Sequence, residues 1–308
     1  MEFKIEKEWD QRTVKEFLYG KVGVSRAVLT RLKQNERGIL LCGKRVTVRA
    51  VLKENDILSL ELSDTADGRV SMIPPRDLPL SVVYEDDFLL VVNKAPGMPT
   101  HPTRGHYEDT LANALAAYQT KNNEKGGVFR AVNRLDRDTS GLVLIAKDQL
   151  SAAKLGRSLQ EGRIEKTYLA LLSGCVAEPE GKIEVPICRV SESIITRRCC
   201  EKGQGDDALT LYRVLCRYRD YTLVQARPIT GRTHQLRVHF AHIGHPILGD
   251  TLYGKEDCRM ARQALHANSL SFPHPTDDKT LRVTCPVPAD MLELIKEGNY
   301  EITQLDPK

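Results

Sequence analysis

The densest group of polar side chains in the sequence is Asn-Arg-Leu-Asp-Arg-Asp-Thr-Ser-Gly at residues 133–141. Apolar, β-branched runs stand on both sides of it, so the pattern predicts a tight loop at the edge of a sheet. Within this loop Arg134 and Arg137 flank the carboxylate of Asp136. A flanked carboxylate can belong to a salt-bridged surface turn, or it can be an acid held ready for catalysis. The residue types alone leave both interpretations open.

A second group is Gly-Arg-Thr-His-Gln-Leu-Arg-Val-His at residues 231–239. We expect a helix to begin there, at Arg232 or Thr233, with His234 and Arg237 about one turn apart on one face. A helix N-terminus that is rich in arginine and histidine is a natural phosphate site. This segment therefore predicts a contact with a phosphorylated ligand.

Three histidines, His239, His242 and His245, follow at every third position. They could bind a metal ion, but no acid or cysteine completes a ligand set at a standard spacing. Gly244 and Pro246 also indicate that the helix ends before the third histidine. The eight cysteines contain no Cys-x-x-Cys pair, so we expect no metal site.

A third group is Glu-Lys-Thr-Tyr-Leu-Ala at residues 165–170, where Tyr168 begins an apolar strand. The commoner fate of such a tyrosine is to pack in the core with its hydroxyl at the surface. An aromatic ring beside an active site is the alternative.

Taken together, these groups resemble the RluA-type pseudouridine synthases, a family of RNA-modifying isomerases. Arg-Leu-Asp-Arg-Asp-Thr-Ser-Gly is similar to the family's catalytic motif, and the groups around the tyrosine and the two histidines are similar to its second and third motifs. Three more matches occur in the family's order, within a region of about residues 80–288: NKAPGMPTHP at 93–102, GHPILGD at 244–250 and LHANSLSFPHP at 265–275. The sequence departs from the family at Asn133, where histidine is usual, and at Ala95, where proline is usual.

The resemblance implies that Asp136 isomerises a flipped-out uridine without any cofactor. Asp136 would attack the sugar as a nucleophile or remove a proton from it. Arg237 would keep Asp136 ionised, and Tyr168 would stack on the uracil and help to remove the C5 proton. Arg134 would fill the gap left by the flipped nucleotide or hold its phosphate. We expect neither departure to affect the covalent chemistry.

The N-terminal segment that precedes these motifs is basic. Residues 1–62 hold 13 Lys and Arg against 9 Asp and Glu, which accounts for the whole net charge of +4. Two short helices, the second capped by Ser25, and a small sheet are predicted here, and this pattern resembles the S-four-type (αL) RNA-binding domain. The RNA contacts that we expect, in both parts of the chain, are Arg26, Arg31, Lys33, Lys44, Arg45, Arg134, Arg232 and His234.

Three segments are predicted along the chain: an RNA-binding domain over 1–62, a proline-containing linker over 63–79 and a catalytic domain over 80–308. Strands outnumber helices in the catalytic domain and do not alternate with them. We therefore predict an α+β fold with a mixed, largely antiparallel sheet, of the pseudouridine synthase type. The main strands are expected at 89–92, 128–132, 142–146, 168–172, 209–215 and 222–226, and the helices at 110–118, 149–160 and 233–243.

The predicted partner is RNA. Large-subunit ribosomal RNA is favoured, because the N-terminal domain resembles that of family members acting there, and transfer RNA is the second choice. Two other functional classes stay open: an RNA-binding protein without catalysis and a metal-dependent nuclease that uses the three histidines. No apolar run is long enough for a membrane helix, and the N-terminus lacks a signal-peptide pattern. We expect a cytoplasmic monomer without a membrane partner.

Overall fold

The first sixty residues fold around an apolar core of their own. The computed structural model describes residues 1–24, 26–61, 73–122, 128–190, 195–277 and 279–296. The N-terminal elements are β1 (Glu2–Lys4), α1 (Val14–Phe17), α2 (Arg26–Gln34), β2 (Ile39–Leu41), β3 (Lys44–Arg45) and β4 (Ile57–Leu60). The four strands form an antiparallel sheet in the order β1-β4-β2-β3.

The apolar spacing of α2 explains how this core is built. Val28, Leu29 and Leu32 are buried, as their spacing predicts for one face of a helix. The sequence predicts the first helix over 11–18, but it begins at Val14, because Thr13 and Glu16 form a capping box that fixes its start. Strand β1 was not predicted, and the proposed helix cap Ser25 lies outside the described residues.

The larger part of the chain forms a nine-stranded sheet with helices packed on it. Its strands are β5 (Ser81–Glu85), β6 (Leu89–Lys94), β7 (Ser140–Ala146), β8 (Glu165–Ser173), β9 (Glu180–Glu184), β12 (Leu209–Arg217), β13 (Tyr221–Pro228), β14 (Leu265–Pro273) and β15 (Thr280–Thr284). The order is β5-β6-β7-β14-β8-β13-β12-β9, with β15 paired to β14. Strands β10 (Ile187–Arg189) and β11 (Arg197–Cys199) form a separate hairpin. The helices are α3 (Leu111–Lys121), α4 (Gln149–Gln160), α5 (Gln235–His242) and α6 (Ala289–Lys296).

The predicted mixed, largely antiparallel α+β fold is confirmed. Within the described strands of this sheet, the pairing of β7 with β14 is parallel and the others are antiparallel. Gly141 allows β7 and β14 to approach closely at that point. Its φ angle is +115°, and a Cβ there would lie 2.3 Å from the carbonyl oxygen of Ala267.

Two predicted elements of this domain differ in the structure. Residues 128–132 do not form a strand but only an isolated bridge from Ala131 to Ile145. Strand β6 occupies one edge of β7, and β14 pairs with only Ser140 and Gly141 on the other, so this bridge lies on the open part of that second edge. The helix predicted over 233–243 begins at Gln235, because the preceding residue, His234, has a left-handed backbone with φ +58°.

The two cores meet at helix α4. Leu150 and Ala153 of this helix pack into the N-terminal core, and the ammonium of Lys154 lies 5.1 Å from the centre of the Phe3 ring. Of the predicted linker, residues 63–72 lie outside the described residues, and residues 73–79 run beside α3. Among the helices that the structure describes, none is long and apolar enough to cross a membrane.

Candidate active site

The loop that carries Asp136 is fixed at its base by Asn133. The buried side-chain amide of Asn133 donates a hydrogen bond to the carbonyl of Leu142 (3.1 Å) and accepts one from the N–H of Leu144 (2.8 Å). The N–H of Thr139 donates to the carbonyl of Asp136 (3.1 Å) and closes the turn. An amide can donate and accept at the same time. Asn133 therefore anchors the loop to β7 at the position where the resemblance leads us to expect histidine.

Two buried polar side chains hold the loop from another side. The hydroxyl of Thr100 donates to the carbonyl of Leu135 (2.9 Å) and accepts from its N–H (3.2 Å). Lys94 donates to the carbonyl of Arg137 (2.9 Å) and to two more carbonyl oxygens at 2.7 and 2.8 Å. Burial lowers the pKa of Lys94 to about 7, while the three acceptors match the three N–H bonds of the ammonium. Sequence reasoning had not singled out either residue, although both lie in the matched segment 93–102.

The segment before β14 supports the far end of the loop. Arg262 donates to the carbonyl of Asp138 (3.1 Å) and forms a bidentate pair with Asp290 of α6 (2.7 and 2.9 Å). The amide of Gln263 donates to the hydroxyl of Thr139 (3.2 Å). The position of Asp136 is therefore set by contacts from several parts of the chain that are far apart in sequence.

Arg237 on α5 bridges two carboxylates. Its Nε and Nη2 donate to the two oxygens of Asp250, at 2.7 and 2.8 Å, and its Nη1 donates to Oδ2 of Asp136 at 3.3 Å. The side chain of Asp250 is fully buried, whereas that of Asp136 is 27% exposed. Burial opposes the charge on Arg237, but Asp250 and then Asp136 raise its pKa above the usual value. The guanidinium is thus a fixed positive charge beside Asp136.

Asp250 lies in a turn that only a glycine can precede. Gly249 has φ +69°, and a Cβ there would lie 2.2 Å from the carbonyl oxygen of Arg262. Asp250 also accepts the N–H groups of Leu252 and Tyr253, at 3.1 and 3.2 Å. Sequence reasoning did not identify Asp250, and the only available signal was the matched segment that ends with it, GHPILGD.

His234 is the second nitrogen-bearing side chain near Asp136. Its Nε2 lies 3.9 Å from Oδ2 of Asp136, and its Nδ1 is 2.7 Å from the hydroxyl of Tyr253. That hydroxyl accepts the N–H of Arg197 from the β10–β11 hairpin (2.9 Å), so Tyr253 ties His234 to the hairpin. Burial lowers the pKa of His234, and Asp136 opposes this change. His234 therefore presents Nε2 toward the carboxylate.

Tyr168 of β8 is buried next to this group. It is 8% exposed, and its strand register places it between Ala226 of β13 and Ala267 of β14. Burial raises the pKa of the phenol, and the charge of Asp136 adds to the increase. Small side chains therefore flank Tyr168 on both neighbouring strands, and its ring lies close enough to Asp136 to feel the charge of the carboxylate.

The predicted RNA-binding residues are all accessible except His234, which is partly buried. Arg134 is exposed in the loop of Asp136, and Arg232 is exposed before α5, where its Nε donates to the carbonyl of Asp207 (2.9 Å). Arg232 thus lies before the helix, not in its first turn as predicted. The five residues of the N-terminal unit are exposed on α2 and β3: Arg26, Arg31, Lys33, Lys44 and Arg45.

Comparison with known proteins identifies the family. Residues 88–242 match the family model described as RNA pseudouridylate synthase. The chain belongs to this family. It is 38% identical to the uncharacterized RNA pseudouridine synthase YjbO of Bacillus subtilis, over 94% of this chain and 100% of that protein. It is 35% identical to the ribosomal large subunit pseudouridine synthase D of Vibrio cholerae, over 94% of this chain and 84% of that protein.

A solved structure agrees with this assignment. Human RNA pseudouridylate synthase domain containing 1 is 29% identical and superposes with a TM-score of 0.58, covering 74% of this chain and 98% of that one. As a family member, the chain is an RNA pseudouridine synthase, an isomerase that converts uridine in RNA to pseudouridine.

Two of the three spaced histidines of this pseudouridine synthase have ring nitrogens in hydrogen bonds to the protein. His239 is buried, with Nδ1 2.9 Å from the hydroxyl of Thr210 and Nε2 2.9 Å from the carbonyl of Val185. Nδ1 of His245 lies 2.9 Å from the carbonyl of Ser173. Among the described residues, no group of histidine, cysteine and acidic side chains is arranged to hold a metal ion.

Proposed function

We propose that Asp136 is the catalytic carboxylate of this RNA pseudouridine synthase. The observation that carries the proposal is the shared guanidinium of Arg237. Its Nε and Nη2 donate to the buried Asp250, and its third nitrogen, Nη1, donates to the partly exposed Asp136. A fixed opposite charge favours the ionised form of a carboxyl group. This arrangement places a fixed positive charge beside a partly exposed acid, which is what either form of the chemistry requires.

The reaction breaks the bond between the sugar and N1 of uracil and forms a bond from the same sugar carbon to C5. In one route the carboxylate of Asp136 bonds to the sugar while the electron pair of the broken bond leaves with the base. In the other route Asp136 removes a proton from the sugar and later returns it. Both routes end with Asp136 as a free carboxylate and with one surplus proton on C5. No electrons are gained or lost overall.

Tyr168 has two roles in this proposal. Its ring packs against the uracil while the base turns, and its hydroxyl takes part in removal of the C5 proton. Because burial raises the pKa of this phenol, its oxygen still carries a proton at neutral pH. It therefore accepts the C5 proton as it passes its own proton on. N1 of the turned base takes up a proton in exchange, so that the product carries an N–H at N1 and Asp136 ends as a free carboxylate.

The target uridine must leave its stack to reach Asp136. Arg134 is exposed in the same loop and has no ion-pair or hydrogen-bond partner within the described residues, so it is free to enter the gap or hold the phosphate of the flipped nucleotide. Arg232 and His234 flank the pocket on the side of α5 and supply further contacts to the RNA backbone.

We propose large-subunit ribosomal RNA as the substrate, with transfer RNA as the alternative. Several relatives are named ribosomal large subunit pseudouridine synthase D. The N-terminal unit, which we interpret as an S-four-type RNA-binding domain, would contact this RNA through its exposed basic residues on α2 and β3. That the enzyme acts as a cytoplasmic monomer stays a prediction from the sequence.

The decisive experiment compares Asp136→Asn with Asp138→Asn. The side chain of Asp138 pairs with the neighbouring Arg137 at 3.0 Å, so its amide variant is a matched control in the same loop. We expect Asp136→Asn to release no tritium from RNA labelled at C5 of uridine, while its RNA affinity in filter binding stays near that of the wild type. Asp138→Asn should keep most activity. Normal turnover by Asp136→Asn would refute the proposed role.

The substrate is tested by mapping pseudouridines in ribosomal and transfer RNA from cells with and without the gene. Loss of a site in large-subunit ribosomal RNA supports the first choice, and loss in transfer RNA supports the second. If the wild-type protein releases no tritium from unmodified cellular RNA, an RNA-binding protein without catalysis becomes the better interpretation.

A further inference from the structure

Lys166 has a position that the chemistry described so far does not explain. It precedes Tyr168 by two residues on β8, so both side chains point to the same face of the sheet, about 7 Å apart along the strand. Its Nζ lies 3.7 Å from the point that a Cβ on Gly231 would occupy. Gly231 begins the segment that carries Arg232 and His234. Lys166 therefore lies between Tyr168 and the segment that leads into α5.

No residue that the structure describes balances the charge of Lys166. The residue is half-buried, and burial lowers the pKa of its ammonium. Within the described residues, its ammonium has no ion-pair or hydrogen-bond partner. On the other face of the same strand, by contrast, Glu165 pairs with Arg227 at 2.7 Å. A partly desolvated cation without a counter-charge is unfavourable, so its position suggests a ligand that is absent from the free protein.

We propose that Lys166 binds a backbone phosphate of the RNA next to the flipped uridine. This inference rests on the proposed function, because it places the substrate's reacting base over Tyr168. A phosphate fits better than the uracil ring, since a lysine ammonium is a compact point charge and the base carries no formal charge before reaction. The contact fixes the position of the RNA strand along the protein, so that the intended uridine reaches the active site.

The test compares Lys166→Met with Lys182→Met. Lys182 is an exposed lysine on β9 that pairs with Glu184 at 2.6 Å, so it controls for the loss of one positive charge. The probe is a synthetic RNA hairpin with a seven-uridine loop, and its affinity is measured from about 50 to 200 mM salt. One lost phosphate contact lowers the salt slope by about 0.7 to 0.9. When salt rises over this range, the affinity of Lys166→Met should therefore fall by a factor about three times smaller than the affinity of the wild type does. The fall for Lys182→Met should equal that of the wild type.

The phosphate is located with hairpins that carry one uncharged methylphosphonate linkage in the loop. We expect one linkage to weaken binding by the wild type and by Lys182→Met but not by Lys166→Met. If every linkage affects Lys166→Met and the wild type equally, and the salt slopes agree, the proposal is wrong. A lowered melting temperature of Lys166→Met with an unchanged salt slope would make the residue structural, which also overturns it.

These binding measurements do not depend on turnover. A wild-type protein that binds the hairpin but releases no tritium would refute the proposed function and leave the result for Lys166 readable. A slower single-turnover rate in Lys166→Met at saturating RNA, with an unchanged salt slope, would indicate that the ammonium contacts the uracil ring. That result would contradict the phosphate contact.

Discussion

Replacing Arg237 by methionine tests the charge arrangement on which the proposed chemistry depends. Methionine keeps much of the apolar volume of the side chain but removes the guanidinium that Asp136 and Asp250 share. We expect the remaining activity to move to higher pH, because a carboxyl group that has lost an adjacent cation ionises less readily.

The size of this effect follows from the contact distance. Arg237 Nη1 lies 3.3 Å from Asp136 Oδ2, and two unit charges about 4 Å apart interact by about 4 kcal/mol at an effective dielectric constant of about 20. Because the side chain of Asp136 is 27% exposed, solvent screens part of this energy. We therefore expect the acidic limb of kcat/KM to move toward higher pH and kcat/KM at neutral pH to fall by about tenfold or more, since about 1.4 kcal/mol of lost interaction is a factor of ten in rate.

The assay is tritium release under single-turnover conditions between pH 5 and 9. The single variant also leaves buried Asp250 without its partner, which should cost about 3 to 5 kcal/mol of folding free energy. The double variant Arg237→Met/Asp250→Asn removes that unpaired charge and should recover most of the stability in thermal unfolding, but not the original pH profile. An acidic limb at the wild-type pH in both variants would refute the charge coupling between Arg237 and Asp136.

Two further predictions concern the loop and the N-terminal unit. Thr100→Val leaves the N–H and the carbonyl of Leu135 without their buried partner, so the free energy of unfolding should fall by about 1–3 kcal/mol. We also expect kcat to fall with little change in RNA affinity. An unaltered kcat would show that this contact does not position Asp136. The double variant Lys44→Gln/Arg45→Gln should lower the salt slope of RNA binding by up to the amount that about two phosphate contacts contribute. Its single-turnover rate at saturating RNA should stay the same, and an unchanged slope would exclude β3 from the RNA interface.

The parts of the site that the sequence predicts well are those with a distinctive local pattern. Asp136 and Arg237 are 101 residues apart, yet each lies in a short motif with a recognisable composition, and the structure brings the two side chains into contact. Helix α4 was predicted over 149–160, and these are its observed bounds; in the structure the side chain of Asp148 caps its start.

The parts that the sequence does not predict depend on contacts between distant segments. In the sequence Asp250 follows a glycine and resembles a residue of a surface turn. In the structure its side chain is buried and pairs with Arg237, which lies 13 residues earlier in the chain. In the sequence Lys94 looks like an ordinary surface lysine, because its three carbonyl acceptors come together only in the folded chain. The late start of α5 depends on the left-handed backbone of His234, which a non-glycine residue rarely adopts.

Helix α4 belongs to both cores, and this limits how the protein can select its substrate. Because Leu150 and Ala153 pack among the apolar side chains of the N-terminal unit, that unit cannot swing relative to the catalytic sheet without exposing them to water. The exposed basic residues on α2 and β3 therefore stand at a set distance and direction from Asp136. If RNA binds both surfaces, as we propose, its uridine must lie at a matching distance from its second contact.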